Sequence, residues 1–313
     1  MNDRVSRRAP LSVVEAPSNL GLRPPREGCA PGVYKLAGAL RDQGIVERLG
    51  AHSGGVVTAP RYLPDWEEGR TRNEEALGRY SHRLAERLAG QLDAGTFPVV
   101  LGGDCSILLG AALALARRGR HGLLYVDGHS DFRHPGNSPT VKSAAGEDLA
   151  LATGRGGPLA RLAGAAPLVA DRDVVVVGIR NDDVCLDELR TVGATVFTAD
   201  DVRSLGPQQV AERATETLTE PGLDGFWVHV DIDVLDPSVM PAVDTPTPGG
   251  LSLDEMRQLL AGPLTSPGAR GLELTIFDPD LDEDGSLAAA LTDTIVGSFH
   301  RRLAGTLAED RRS

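Results

Sequence analysis

Asp127, His129 and Asp131 stand at every second position of Asp127-Gly128-His129-Ser130-Asp131, and Asp231 and Asp233 repeat the spacing in Asp231-Ile232-Asp233. Each set follows an apolar, strand-like run, Leu123 to Val126 and Phe226 to Val230, and alternate side chains of an extended backbone share one face. Four carboxylates and an imidazole then point into one small volume. Like charges a few ångströms apart repel strongly unless a cation neutralises them. A divalent metal, and two for this many donors, resolves the conflict. Mixed carboxylate and imidazole ligation suits a hard or borderline cation of the manganese type. A pair of such ions can lower the pKa of a bridging water, present hydroxide to an electrophilic carbon and clamp the developing charge. The chemistry expected is hydrolysis. Each motif alone also reads as a strand running into a polar turn capped by Asp; the pairing of the two behind strands points to a shared site.

The elements that must hold these side chains are legible from periodicity. β-branched, apolar runs recur at Leu11 to Val14, Phe97 to Leu101, Leu123 to Val126, Val174 to Val177, Thr195 to Phe197, Phe226 to Val230 and Leu272 to Phe277. Helical patterns lie between them at Asn73 to Leu92, Ser106 to Arg118, Pro207 to Leu218 and Asp254 to Leu260, with Leu287 to Leu307 closing the chain. Alternation of this kind predicts a three-layer α/β/α fold around a mostly parallel sheet, in a single domain spanning residues 1–313. Ligands of such sheets bind beyond the carboxyl ends of the strands, where both carboxylate motifs fall. Two long Pro/Gly-bearing loops, Phe132 to Gly146 and Pro237 to Gly250, begin just after the motifs and are read as pocket walls; a third loop runs from Thr58 to Arg72.

With 313 residues and 41% apolar content the chain can bury a core of its own. A net charge of -12 without long basic runs argues against nucleic acid and anionic membrane as partners. No segment approaches the ~20 apolar residues needed to span a bilayer. Three cysteines without C-x-x-C spacing indicate neither a disulfide framework nor a zinc ribbon. The location expected is the cytoplasm, and the partner a small-molecule substrate. An acidic run, Asp280 to Gly285, starts like a calcium loop, but Leu291 stands at its twelfth position, so it is read as a solvated turn.

A third strand ends at Gly102-Gly103-Asp104-Cys105-Ser106. Its glycines permit close backbone approach, and Cys105 opens a helix, where the dipole lowers a thiol pKa; an inert buried cysteine is the plain alternative. Taken in order, Gly-Gly-Asp-x-Ser, Asp-x-His-x-Asp, Gly178-Ile179-Arg180, His229 to Pro237 and Thr245 to Leu251 resemble the arginase/agmatinase ureohydrolases over about residues 95–300. The resemblance implies a binuclear manganese site, hydrolysis of a guanidino or related C–N bond, and a homotrimer or hexamer. It implies that Asp127 and Asp231 bridge the ions, Cys105 and Asp131 complete one, and His129 and Asp233 complete the other. Asp183 matches a position that contacts the substrate's amino end.

Departures from the family pattern matter as much. Cys105 stands where the family usually has His, and a thiolate shifts preference toward Zn or Fe. Ala145-Gly146 stands where the family has a His-Gly that transfers protons. His134, in the same loop, and His229, two residues before Asp231, are the candidate replacements; a solvated loop histidine and a structural histidine are their plain readings. Ile276 occupies the position where the family sets a Glu against the guanidinium, which makes free arginine a poor substrate. Glu273, odd in register, is expected to face away from the residue 276 face. The expected substrate carries a less cationic group: an N-hydroxyguanidine, formamidine or amide. The family branch acting on N-hydroxyarginine also carries Cys at the Gly-Gly-Asp motif, and there Arg133 would hold a substrate carboxylate, with a plain surface role as its alternative; a place in specialised metabolism follows. The competing reading is a catalytically silent, metal-binding partner subunit.

Overall fold

Eight parallel strands form one sheet in the order β2-β1-β3-β8-β7-β4-β5-β6. A computed structural model describes residues 8–138 and 142–304. The strands are β1 Leu11–Glu15, β2 His52–Val56, β3 Phe97–Leu101, β4 Gly122–Val126, β5 Val174–Ile179, β6 Thr195–Thr198, β7 Phe226–Asp231 and β8 Ala269–Thr275. The helices are α1 Leu36–Asp42, α2 Ile45–Arg48, α3 Glu74–Asp93, α4 Leu108–Ala116, α5 Asp148–Ala152, α6 Leu186–Thr191, α7 Ala199–Leu205, α8 Pro207–Leu218, α9 Leu253–Ala261 and α10 Ser286–Ser298. Among the described residues, no helix is long and apolar enough to cross a membrane.

Strand alternation divides the core in two. Leu124, Val126, Val228 and Val230 pack with α1, α8, α9 and α10 on one face, while Leu123, Tyr125, Val176 and Trp227 pack with α3, α4, α5 and α6 on the other. That is the three-layer α/β/α arrangement expected. Central strands buried on both faces read as continuous apolar runs. All seven expected strands form.

Four features differ from expectation. β2, with the sequence His-Ser-Gly-Gly-Val, carries no apolar pattern and forms as an edge strand on β1. The helix expected from Ser106 begins instead with a tight 3-10 turn, Cys105–Ile107, before α4. β8 stops at Thr275, two residues before the expected end, because Ile276 adopts φ 74. α10 ends at Ser298, and residues 305–307 of the expected helix lie outside the described residues. The acidic run holds no calcium-loop geometry; Asp282 accepts hydrogen bonds from the Leu287 and Ala288 N–H groups and Asp284 from that of Ser286, capping α10.

Candidate metal centre

The carboxyl ends of β3, β8, β7 and β4, adjacent in that order, bring the candidate ligands together. Register does the positioning: Tyr125, His229 and Glu273 pair across β4, β7 and β8, and one step above them Asp231 pairs with Thr275 while Asp127 follows Val126. Cys105 arrives from β3. The Gly-Gly pair before it is required sterically, since a Cβ at Gly103 would lie 1.7 Å from the Ser18 carbonyl oxygen. Asp104 is structural, accepting from Ser18 and from the backbone N–H groups of Gly21 and Ser106.

Three overlapping groups place ligand atoms within 4.8 Å of one another: Cys105, Asp127, Asp131 and Asp231; Asp127, His129 and Asp233; and Cys105, Asp127 and His229. The first group is the set expected for one ion; the second holds Asp127, His129 and Asp233 of the other set without Asp231, so Asp127 alone is common to both. Asp127 Oδ1 accepts from the His129 N–H at 2.6 Å, and its Oδ2 is buried without a partner among the described residues. Asp231 accepts from the Asp233 N–H at 2.7 Å and from the Cys105 thiol at 2.7 Å, and the thiol also lies 3.1 Å from Thr275 Oγ1. His129 Nδ1 pairs with Asp233 Oδ2 at 2.8 Å and its Nε2 with Thr247 Oγ1 at 3.0 Å. Asp131 takes a left-handed backbone, φ 42, tolerable for Asp.

Electrostatics describe a set of donors strained without a cation. Burial and then the neighbouring carboxylates push Asp127, Asp131 and Asp231 well above the usual carboxylate range. Burial, then Asp231, pushes the Cys105 thiol up, against the lowering expected from a helix N-terminus, because four carboxylates outweigh one short turn. Burial disfavours the His129 cation, but the bond to Asp233 prevails and raises it to about 9. An orphaned buried oxygen beside imidazole, thiol and crowded carboxylates fits a metal pair.

His129, Asp131, Asp231 and Asp233 line a cavity of about 590 Å³ whose walls include Arg133, Ala145, Glu147, Asp183, Asp244 and Ile276. A larger depression of about 780 Å³ between α8, α9 and α10 contains none of the ligand groups. Both long loops after the carboxylate motifs contribute walls, as expected. Asp183 accepts from the N–H groups of Ser130 and Cys185, which fixes it at the rim. Arg133 is exposed beside it. Ile276 presents an apolar wall, and its N–H donates to the Gly103 carbonyl at 2.7 Å.

One expectation changes. His134 does not line the cavity: its Nε2 pairs with Glu188 at 3.0 Å and its ring packs edge-on to Phe132, so it is held away from the proton-transfer role assigned to it. Glu273 is fully buried, with its Oε1 2.8 Å from His229 Nδ1. Glu147, Asp148 and Asp244 were not anticipated. Burial raises Glu147 to about 7 against the opposing N–H groups of Lys142 and Ser143. Burial, then Asp233, raises Asp244 to about 6, although its side chain still meets solvent at the cavity wall. Asp148 accepts from the Tyr125 hydroxyl at 2.9 Å, and that hydroxyl also lies 3.4 Å from Asp131. The only sequence signal for Glu147 and Asp148 is their place directly after Ala145-Gly146.

Residues 12–300 match the arginase family. The arginase of Bacillus caldovelox is 30% identical over 305 residues, spanning 92% of this chain and 98% of that protein. Its native crystal structure at pH 5.6 superposes with a TM-score of 0.83 at 29% identity, covering 93% of this chain and 98% of that one. The formimidoylglutamase of Bacillus subtilis shares the fold at a TM-score of 0.71 and 18% identity, covering 94% and 87%.

Proposed function

The chain belongs to the arginase family, and from that premise we propose that it is a binuclear metal-dependent hydrolase of a C–N bond at an amidino-type carbon of a small molecule. The observation that carries the reading is the clustering of Cys105 and Asp127 with His129, Asp131, Asp231 and Asp233, the last four of which line one cavity. Asp127 and Asp231 would be shared between the ions, with Cys105 and Asp131 on one and His129 and Asp233 on the other. Manganese suits the carboxylate-rich donors, and Cys105 admits Zn or Fe. Such a pair, when bound, acidifies a water and stabilises developing negative charge.

The remaining work falls to the protein. Asp183 and Arg133 at the rim suit a substrate with an amino group and a carboxylate. Ile276 offers no counter-charge, so the reacting group is less basic than guanidinium: an N-hydroxyguanidine, formamidine or amide in preference to free arginine, even though relatives bear the name arginase. The Asp244 carboxylate is left to accept from substrate N–H groups. The departing nitrogen needs a proton, and Glu147, buried in the cavity wall with a pKa near neutrality, can carry one. The reading includes a single domain, a homotrimer or hexamer and a cytoplasmic location; sedimentation velocity tests the assembly.

The test is a screen of guanidino, hydroxyguanidino, formimino and amide compounds for released urea, hydroxyurea or ammonia, with Asp127→Ala as control. Turnover by the metal-loaded protein and its loss in a folded Asp127→Ala variant is the expected result. Absence of turnover with every compound class would sink the enzyme reading and leave a silent metal-binding protein.

A further inference from the structure

His229 is placed where the expected ligand sets have no use for it. It is fully buried on β7, two residues below Asp231 and on the same strand face. Its ring is stacked on Tyr125 of β4, with centroids 4.7 Å apart and planes 7° from parallel. Its Nδ1 is bound to Glu273 of β8 at 2.8 Å, and its Nε2 is buried with no hydrogen-bond partner among the described residues. A ligand atom of His229 lies within 4.8 Å of those of Cys105 and Asp127. With Nδ1 engaged by the carboxylate, Nε2 is the free one.

A packing role alone does not explain this arrangement. An imidazole and a carboxylate buried together are readily replaced by apolar residues of similar volume, and a buried ring nitrogen without a partner is a net loss. Three cross-strand neighbours, Tyr125, His229 and Glu273, cooperate to hold one ring in one orientation and tautomer. That is the arrangement in which histidine serves metals: one nitrogen on a carboxylate, the other on the ion.

We propose that His229 Nε2 is a ligand of the ion shared by Cys105 and Asp127, supplying from β7 the imidazole that Cys105 does not supply from the end of β3. The proposal rests on the binuclear reading above and deepens it. His229 forms a group with Cys105 and Asp127 but not one that also takes in both Asp131 and Asp231, so the ion sits low in the site, toward the thiol and imidazole. Sulfur, nitrogen and oxygen donors in a small buried set favour zinc. The neighbouring group of Asp127, His129 and Asp233 holds no sulfur and suits manganese. The two positions are chemically unequal.

The experiment takes the full chain, stripped of metal and reloaded with Zn²⁺ alone, Mn²⁺ alone or both, with ions per chain counted by plasma mass spectrometry. Long-range ¹H–¹⁵N spectra of the zinc form count the metal-bound imidazoles. Wild type is expected to hold about two ions, to take one zinc in competition with manganese, and to show two metal-bound imidazoles, His129 and His229. His229→Asn is expected to retain one ion and lose the zinc preference. Should that variant fail to fold, Glu273→Gln keeps the imidazole but removes its orienting partner, and zinc affinity at this position should fall roughly 10- to 100-fold while the other ion is unaffected. Two ions in wild type with only His129 metal-bound, or unchanged zinc binding in a folded His229→Asn or in Glu273→Gln, would overturn the assignment while leaving the binuclear centre in place. Fewer than one ion in wild type would overturn the binuclear reading itself.

Discussion

At the scale of the residue, a side chain's chemistry here depends on what surrounds it more than on its type. Asp183 at the rim and Asp127 in the floor are both aspartates, yet Asp183 accepts two backbone N–H bonds while Asp127 keeps one buried oxygen unpartnered. Glu147 shows the same dependence. Held by the Lys142 and Ser143 N–H groups at one oxygen and buried at the other, it titrates near 7 instead of near 4.5. A raised carboxyl is protonated below that value, so as a general acid it works at pH 6 and is spent at pH 8. Glu147→Gln should therefore lower kcat by about 10²-fold and remove the alkaline fall of kcat near pH 7. A variant that loses rate but keeps that fall would assign the proton to another group.

At the scale of the element, one of the two loops that wall the cavity is held by one buried side chain. Arg180, at the end of β5, donates to the carbonyl oxygens of Gly178, Asp233, Val234, Leu235, Thr247 and Pro248. It thus ties the turn carrying Asp233 to the loop carrying Asp244 and Thr247. Gly128 makes room for it, since a Cβ there would lie 2.8 Å from the guanidinium and 2.7 Å from the Asp233 carbonyl. Removing the clamp leaves several carbonyl groups without donors. Arg180→Ala should cost roughly 2–4 kcal/mol in urea unfolding, and the loop at 237–250 should become the first site of limited proteolysis. Unchanged stability would mean that water replaces the guanidinium at no cost. Element-scale reading of the sequence fails where the pattern is carried by backbone alone. β2 pairs through its main chain at an edge, so nothing in His-Ser-Gly-Gly-Val announces it.

At the scale of the whole molecule, the sheet drives mutually repelling acids together, and metal binding and folding are coupled as a result. Asp127, Asp131 and Asp231 prefer to be protonated in the folded, metal-free protein. A folded-state value raised above the unfolded one contributes stability below the unfolded value, near 3.8, that is lost as pH rises. Metal-free protein should therefore lose thermal stability as pH rises above the unfolded carboxylate value. A divalent ion at about 1,000 times its Kd should restore about 4 kcal/mol, or roughly 6–8 °C in Tm, with the larger gain at the higher pH. Differential scanning calorimetry at pH 5.5 and 8 with and without Mn²⁺ checks this. A metal-free protein equally stable at both would show that the carboxylates are not crowded in solution.

The sequence by itself determined seven strands of the sheet, the three layers and the candidate ligands after β4 and β7, because period-two alternation and apolar runs are local properties that need no partner to be read. The family resemblance of its motifs also pointed to Cys105, Asp183 and Ile276 as site positions. Tertiary structure alone decided which side chains meet across strands. His229 finds Glu273 because β7 and β8 pair in one register. His134 was lost to Glu188, a residue of α6 that no local pattern links to it. Cys105 acquired a raised pKa from burial first and then from carboxylates delivered by other elements. Charge and burial are sums over neighbours in space, and those neighbours are chosen by strand order and register rather than by sequence distance.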